Sequence, residues 1–214
     1  SGSDMSIGIG RWVLFQACAQ ARKWQSLVGR PLKVAVNLFP RQTYSKSLVN
    51  DVTWALADTG LGAASLELEL TENTILDSSD NFIEVLGYLR DLGVTIGLDD
   101  FGTGFASLNS LTRYPVDTIK VDRSFVSGSA GKPENQAVLR AMVMLAREFG
   151  LVSVAEGVES VEEAEIIQQI GFNLGQGYNW SRPVSGPDFE RLLKSGGRQL
   201  PVAVASQAAA SDDR

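Results

Sequence analysis

Carboxylates at the ends of apolar runs are the residues here best suited to chemistry. The sharpest case is Asp99-Asp100-Phe101-Gly102-Thr103-Gly104, directly after the apolar run Val94–Leu98. Two adjacent carboxylates repel each other at short range. A divalent cation removes that cost, and paired aspartates can bridge two such ions, which suits in-line attack on a phosphodiester. The glycines permit a tight turn and a close approach to a ligand. Taken alone, the segment also fits a plain Asp-rich turn between strand and helix.

Glu67-Leu68-Glu69-Leu70-Thr71-Glu72 alternates acid and leucine. Strand alternation puts Glu67 and Glu69 on one face. They then meet a metal or a cation inside the fold, or pair with helices outside it. Lys120 and Asp122 share a face in the same way. Lys120 either balances nearby carboxylates or holds a water or phosphate oxygen. Glu156 stands at a strand end before Gly157, whereas Glu159 fits better as an acid at a helix start. Gln176 lies between Gly175 and Gly177, where backbone can come close to a ligand, and Asn37 falls within the run Val34–Leu38.

Composition narrows the chemistry further. The chain has no histidine, which excludes serine–histidine triads, HExxH zinc sites and histidine bases. Acid–base work falls to carboxylates, lysine or metal-activated water. The net charge of −6 lacks the basic footprint of a protein that binds a nucleic-acid polymer, yet a small phosphate ligand is allowed if metal ions supply positive charge. The single cysteine, Cys18, falls on the apolar stripe of a helix and reads as core. No internal disulfide, signal peptide or apolar run of about eighteen residues is visible, which predicts a cytoplasmic setting.

Six strand-like runs must carry these groups: Val34–Leu38, Ser65–Leu70, Val94–Leu98, Thr118–Val121, Val152–Ala155 and Asn173–Gly177. Helical periodicity separates them over Arg11–Val28, 44–60, Asn81–Leu92, 133–149 and 160–170. Repeated βα units build a parallel sheet buried on both faces. An open doubly wound sheet concentrates its site at one switch point. Here a polar group ends nearly every strand, which favours a barrel with its site at the strand C-termini. A closed barrel of this type has eight strands, so about six of eight βα units are visible and about two are expected upstream. The expected organisation is one domain over 1–195 and a flexible tail over 196–214, with a helical turn near Ala203–Ala210.

Read in order, VAVNL, ELELTEN, GLDDFGTGFASL, VDTIKVDRSFV, SVAEGVES and GQGYNWSRPV resemble the successive signature segments of the EAL family. The resemblance covers about Ile9–Leu193. It implies a TIM-like (β/α) barrel that hydrolyses cyclic di-GMP to pGpG with Mg²⁺ or Mn²⁺ in a two-metal site. By motif, Asn37, Glu69 and Asp99 resemble ligands of one metal, and Asp99, Asp100 and Glu156 those of a second. Lys120 resembles the residue that positions the attacking water, Asp122 its supporting carboxylate, and Glu156 also a general base. Glu72 resembles the glutamate that steadies the loop Phe101–Leu108. Gln176, Asp100 and Phe101 are the expected substrate contacts. The family further implies sensory or GGDEF domains in a longer parent, membrane-tethered in some members, and a homodimer through the loop after Asp99-Asp100.

The sequence departs from the family in three places. The Glu-Ala-Leu motif itself, which brings one metal ligand and a guanine contact, is not in the chain. Phe39 stands where a serine is usual, and Phe105 where a tyrosine is usual. Without Glu-Ala-Leu, the alternative is a non-catalytic cyclic di-GMP receptor or an inert scaffold.

Overall fold

Alternation of acid and leucine in one strand decides which way the sheet faces. In β2 (Leu66–Thr71) the leucines are fully buried against helices, and Glu67 and Glu69 point to the opposite face. A computed structural model describes residues 2–44, 47–76, 80–104 and 108–195. Phe105 and the tail 196–214, with its expected helical turn, lie outside the described residues.

The chain opens with α1 (Gly2–Val28), β1 (Val34–Asn37), α2 (Pro40–Thr43) and α3 (Leu48–Thr59), which lead into β2. Then come α4 (Glu72–Leu76), α5 (Asp80–Asp91), β3 (Thr95–Phe101), α6 (Leu108–Arg113) and β4 (Thr118–Val121). The last part holds α7 (Arg123–Val126), α8 (Pro133–Glu148), β5 (Val152–Ala155), α9 (Val161–Ile170), β6 (Leu174–Gly175) and α10 (Gly186–Lys194). All six expected strands are present, in parallel and in chain order from β1 to β6. The sheet is curled, as in a half-barrel.

The outer face of the sheet makes the core. Leu66, Leu68, Leu70, Ile96, Leu98 and Ile119 pack against Leu14, Val52, Phe82 and Leu86 from the covering helices. A second cluster joins Val121 and Ala155 to Leu139 and Val143 of α8 and to Ile167. Cys18 is fully buried in the first cluster, and burial pushes its thiol up to about 11. Among the described residues, no helix is long and apolar enough to cross a membrane.

Helix α10 was not anticipated from the sequence, although Ser185 and Pro187 mark its start. It packs on α1 through Trp24 and Phe189, whose ring centroids are 4.5 Å apart, and through Lys23 and Glu190 at 2.6 Å.

Packing requires the glycines at and just after the short strand β6. A Cβ at Gly175 would lie 2.6 Å from Ile167 Cδ1 and 2.7 Å from Trp180. A Cβ at Gly177 would collide with the main chain of Val158, whose N–H donates to Gln176 O at 3.1 Å. Gly177→Ala is therefore expected to lower stability by about 1–3 kcal/mol through overpacking, measured as a lower urea midpoint by circular dichroism.

Candidate active site

Regular alternation would send Asp99 and Asp100 to opposite faces of β3. The strand breaks that rule. Its register against β4 shifts between Leu98 and Phe101. Asp100 adopts φ 57°, a left-handed conformation that Asp tolerates better than most residues. Asp99, Asp100 and Glu156 each then offer a carboxylate oxygen, all within 4.8 Å of one another. Phe101 is carried the other way. It aligns with Val121, is only 7% exposed and packs into the helix-facing core. The register shift turns the Phe101 ring away from the carboxylates.

Lys120 stands at the centre of the carboxylates. Its Nζ lies 2.9 Å from Glu69 Oε1, 3.1 Å from Asp99 Oδ1 and 2.6 Å from Glu156 Oε1. Burial works against its charge, but hydrogen bonds and Coulomb attraction from Glu156 and Glu69 outweigh burial and hold its pKa above the usual lysine value. Burial raises the pKa of Glu69 and Glu156, and Lys120 only partly offsets that. Burial and the neighbouring Asp99 raise Asp100. Gln176 Nε2 donates to Glu156 Oε1 at 2.7 Å and fixes that carboxylate from the adjacent strand end.

The remaining candidates occupy the same end of the sheet. Asn37 is in register with Glu69 on the edge strand and is exposed. Glu72 is 2% exposed and accepts from Gly102 N at 2.8 Å, which ties the turn after the aspartates to α4. A Cβ at Gly104 would lie 2.5 Å from Glu72 Oε2, so that glycine leaves room for protein as well. Asp122 does not join Lys120's partners; it caps α7, accepting from Ser124 N at 2.9 Å, and these bonds outweigh burial to lower its pKa. Phe39 is 42% exposed at the start of α2, where Gln42 Oε1 accepts from its N–H at 3.0 Å.

Glu67 settles the inside-or-outside question left by the sequence. Its Oε2 accepts from Thr118 Oγ1 at 3.0 Å and Thr95 Oγ1 at 3.2 Å, and pairs with Lys33 at 3.2 Å. These partners lie on strands or just before one, so the carboxylates face the interior. Gly97 sits between Glu67 and Glu69, and a Cβ there would touch both at about 3.5 Å. Sequence reading missed Thr95, Thr118 and Lys33, because pairing across strands is invisible in one strand's pattern. It also missed Glu163, although Ser160-x-x-Glu163 before an apolar run is a capping-box signature.

A cleft of about 540 Å³ opens beside Gln176. Arg123, Glu159, Tyr178, Arg182 and Phe189 line it, with the Arg182 guanidinium 4.5 Å from the Tyr178 ring centre. Every candidate metal ligand is an oxygen donor: one amide, Asn37, and the carboxylates Glu69, Asp99, Asp100 and Glu156. Such a set suits the hard cations Mg²⁺ and Mn²⁺.

Comparison with known proteins agrees with this architecture. The family model described as EAL domain matches residues 2–183. Cyclic di-GMP phosphodiesterase NbdA of Pseudomonas aeruginosa is 38% identical over 184 residues, 86% of this chain and 24% of that protein. The chain spans about a quarter of the length of the curated relatives it matches. The EAL domain of Mycobacterium smegmatis DcpA matches with TM-score 0.84 and 36% identity, over 90% of this chain and 86% of that one. A manganese and cyclic di-GMP complex of Klebsiella pneumoniae BlrP1 matches with TM-score 0.73 and 32% identity, over 82% and 45%. Sequence and backbone point the same way, and the chain belongs to the EAL domain family.

Proposed function

We propose that this chain is the greater part, residues 1–195, of a catalytic module that hydrolyses cyclic di-GMP to linear pGpG with Mg²⁺ or Mn²⁺. The observation that carries this reading is the convergence of Glu69, Asp99, Asp100 and Glu156 around Lys120 at the C-terminal ends of the strands. Relatives named or crystallised as cyclic di-GMP phosphodiesterases support it.

Asn37, Glu69, Asp99, Asp100 and Glu156 would hold the metal. Bound there, divalent ions would offset the charge of the diester and lower the pKa of water. Lys120 stays protonated, so it orients the attacking water and a phosphate oxygen without taking a proton. Glu156, placed beside Lys120, would accept the proton of that water. Gln176 holds Glu156 in place and borders the ligand cleft, whose aromatic and cationic lining suits a purine base. Glu72 steadies the turn after the aspartates, and Asp122 fixes the segment after Lys120 by capping α7. The same reading includes a cytoplasmic site, sensory or GGDEF partner domains, and a homodimer through the loop after Asp99-Asp100.

The deciding measurement is conversion of cyclic di-GMP to pGpG by the intact protein, with Mg²⁺ or Mn²⁺ and again with EDTA. Metal-dependent turnover is expected; ligand binding with no turnover would leave a receptor instead. In the active protein, Glu156→Gln is expected to lower kcat by about 10²–10⁴-fold, read by product chromatography. Lys120→Met removes the cation from a buried set of carboxylates. It should lower the stability of the metal-free chain by about 3–5 kcal/mol. Millimolar Mn²⁺ should then raise the melting temperature of this variant more than that of the unsubstituted chain, by calorimetry.

A further inference from the structure

Glu163 is a buried carboxylate that the proposed mechanism does not use. It is 7% exposed and lies in the first turn of α9. Its reciprocal bonds with Ser160 are ordinary capping: Ser160 Oγ accepts from Glu163 N at 3.2 Å, and Glu163 Oε2 accepts from Ser160 N at 3.3 Å. Two further bonds are not needed for a cap. Glu163 Oε2 also accepts from Glu159 N at 2.8 Å, and Oε1 accepts from Gly128 N at 2.7 Å. Gly128 belongs to a different segment, the turn after α7, and has φ 69°. One carboxylate therefore binds three main-chain donors from two loops at the site's end of the sheet.

The loop after β5 also meets the first residue of α7, at Gly157. Gly157 has φ 65°, and a Cβ there would collide with Arg123. The segment 156–160, which carries Glu156, is thus pressed on the head of α7 at one end and bolted to its far side by Glu163 at the other. Val158 of the same loop is fully buried against Leu139, Val143 and Ile167, and Glu163 adds the polar anchor. Charge-assisted bonds to main-chain N–H are among the stronger hydrogen bonds.

We propose that Glu163 is a positioning residue for Glu156: its carboxylate clamps the loop after β5 onto the turn after α7. This rests on the reading of Glu156 as a metal-binding group. The clamp acts through the main chain, so a carboxamide, which keeps one accepting oxygen, replaces part of it and alanine none.

The test compares the unsubstituted protein with Glu163→Ala and Glu163→Gln. Hydrogen exchange is read at residues 127–131 and 156–160 of this chain, and Mn²⁺ affinity by electron paramagnetic resonance in the intact protein. Alanine is expected to speed exchange in both segments while β2–β4 stay protected, and to weaken Mn²⁺ binding by about 10-fold or more. Glutamine should fall between. Unchanged exchange in Glu163→Ala overturns the clamp, and faster exchange with unchanged Mn²⁺ affinity overturns its role in positioning Glu156. Failure of the unsubstituted protein to bind Mn²⁺ would sink the metal-site reading, and exchange would still decide the clamp. If alanine exposes the whole sheet to exchange, Glu163 is a general stability residue and the proposal fails.

Discussion

Repulsion among carboxylates inside the curled sheet is the constraint on which the rest of this structure depends. Glu69, Asp99 and Glu156 all approach one ammonium group, and Asp100 lies beside them. Like charges at such separations cannot all be ionised without a compensating cation. Lys120 supplies one, and its short contacts explain why its own charge survives burial. Burial raises the proton affinity of Glu69 and Glu156, neighbouring carboxylates add to it, and Lys120 offsets only part of the rise. A site with this surplus of negative charge is disposed to take divalent ions.

The inner face is layered. Glu67, Thr95, Thr118 and Lys33 form a floor at the N-terminal ends of the strands. Glu69 and Lys120 lie one residue pair higher, and Asp99, Glu156 and Gln176 higher still. Gly97 separates the two glutamates of β2 and makes room for both. Each layer joins neighbouring strands, so the register of β2, β3 and β4 and the position of the charged groups are one problem. The outer face solves a simpler one: its leucines and isoleucines bury apolar surface against helices, which drives folding without specifying chemistry.

Among the described residues, the one non-glycine with positive φ sits where the chemistry does. The register shift in β3 and the left-handed Asp100 leave the regular pattern to bring two consecutive carboxylates to one place. The surroundings hold that geometry: Glu72 accepts from Gly102 N, and Asp100 O receives the Thr103 hydroxyl at 2.9 Å. Around the fifth strand the same task falls to Gln176 and Glu163, one bonded to the Glu156 side chain and the other to the main chain of its loop.

Much of this was legible in the residues. Periodicity located all six strands and the five longer helices, because a buried parallel sheet demands apolar runs and its covering helices demand one apolar face. The polar residue at each strand end pointed to a barrel, and the ordered motifs pointed to the EAL family, to which the chain belongs. Alternation placed Glu67 with Glu69 on one face but could not say which face was the interior, because period two is the same in both directions. It gave no warning of the register shift that separates Phe101 from Asp100, since such a shift leaves no trace in the composition of its own strand. Asp122 looked like a companion to Lys120 by spacing, and a helix start claimed it instead. The sequence by itself determined the six strands and five longer helices, their order and the kinds of group available for chemistry. Only the tertiary structure decided which carboxylates share Lys120, because those contacts join residues from separate strands whose separation is set by the curl of the sheet.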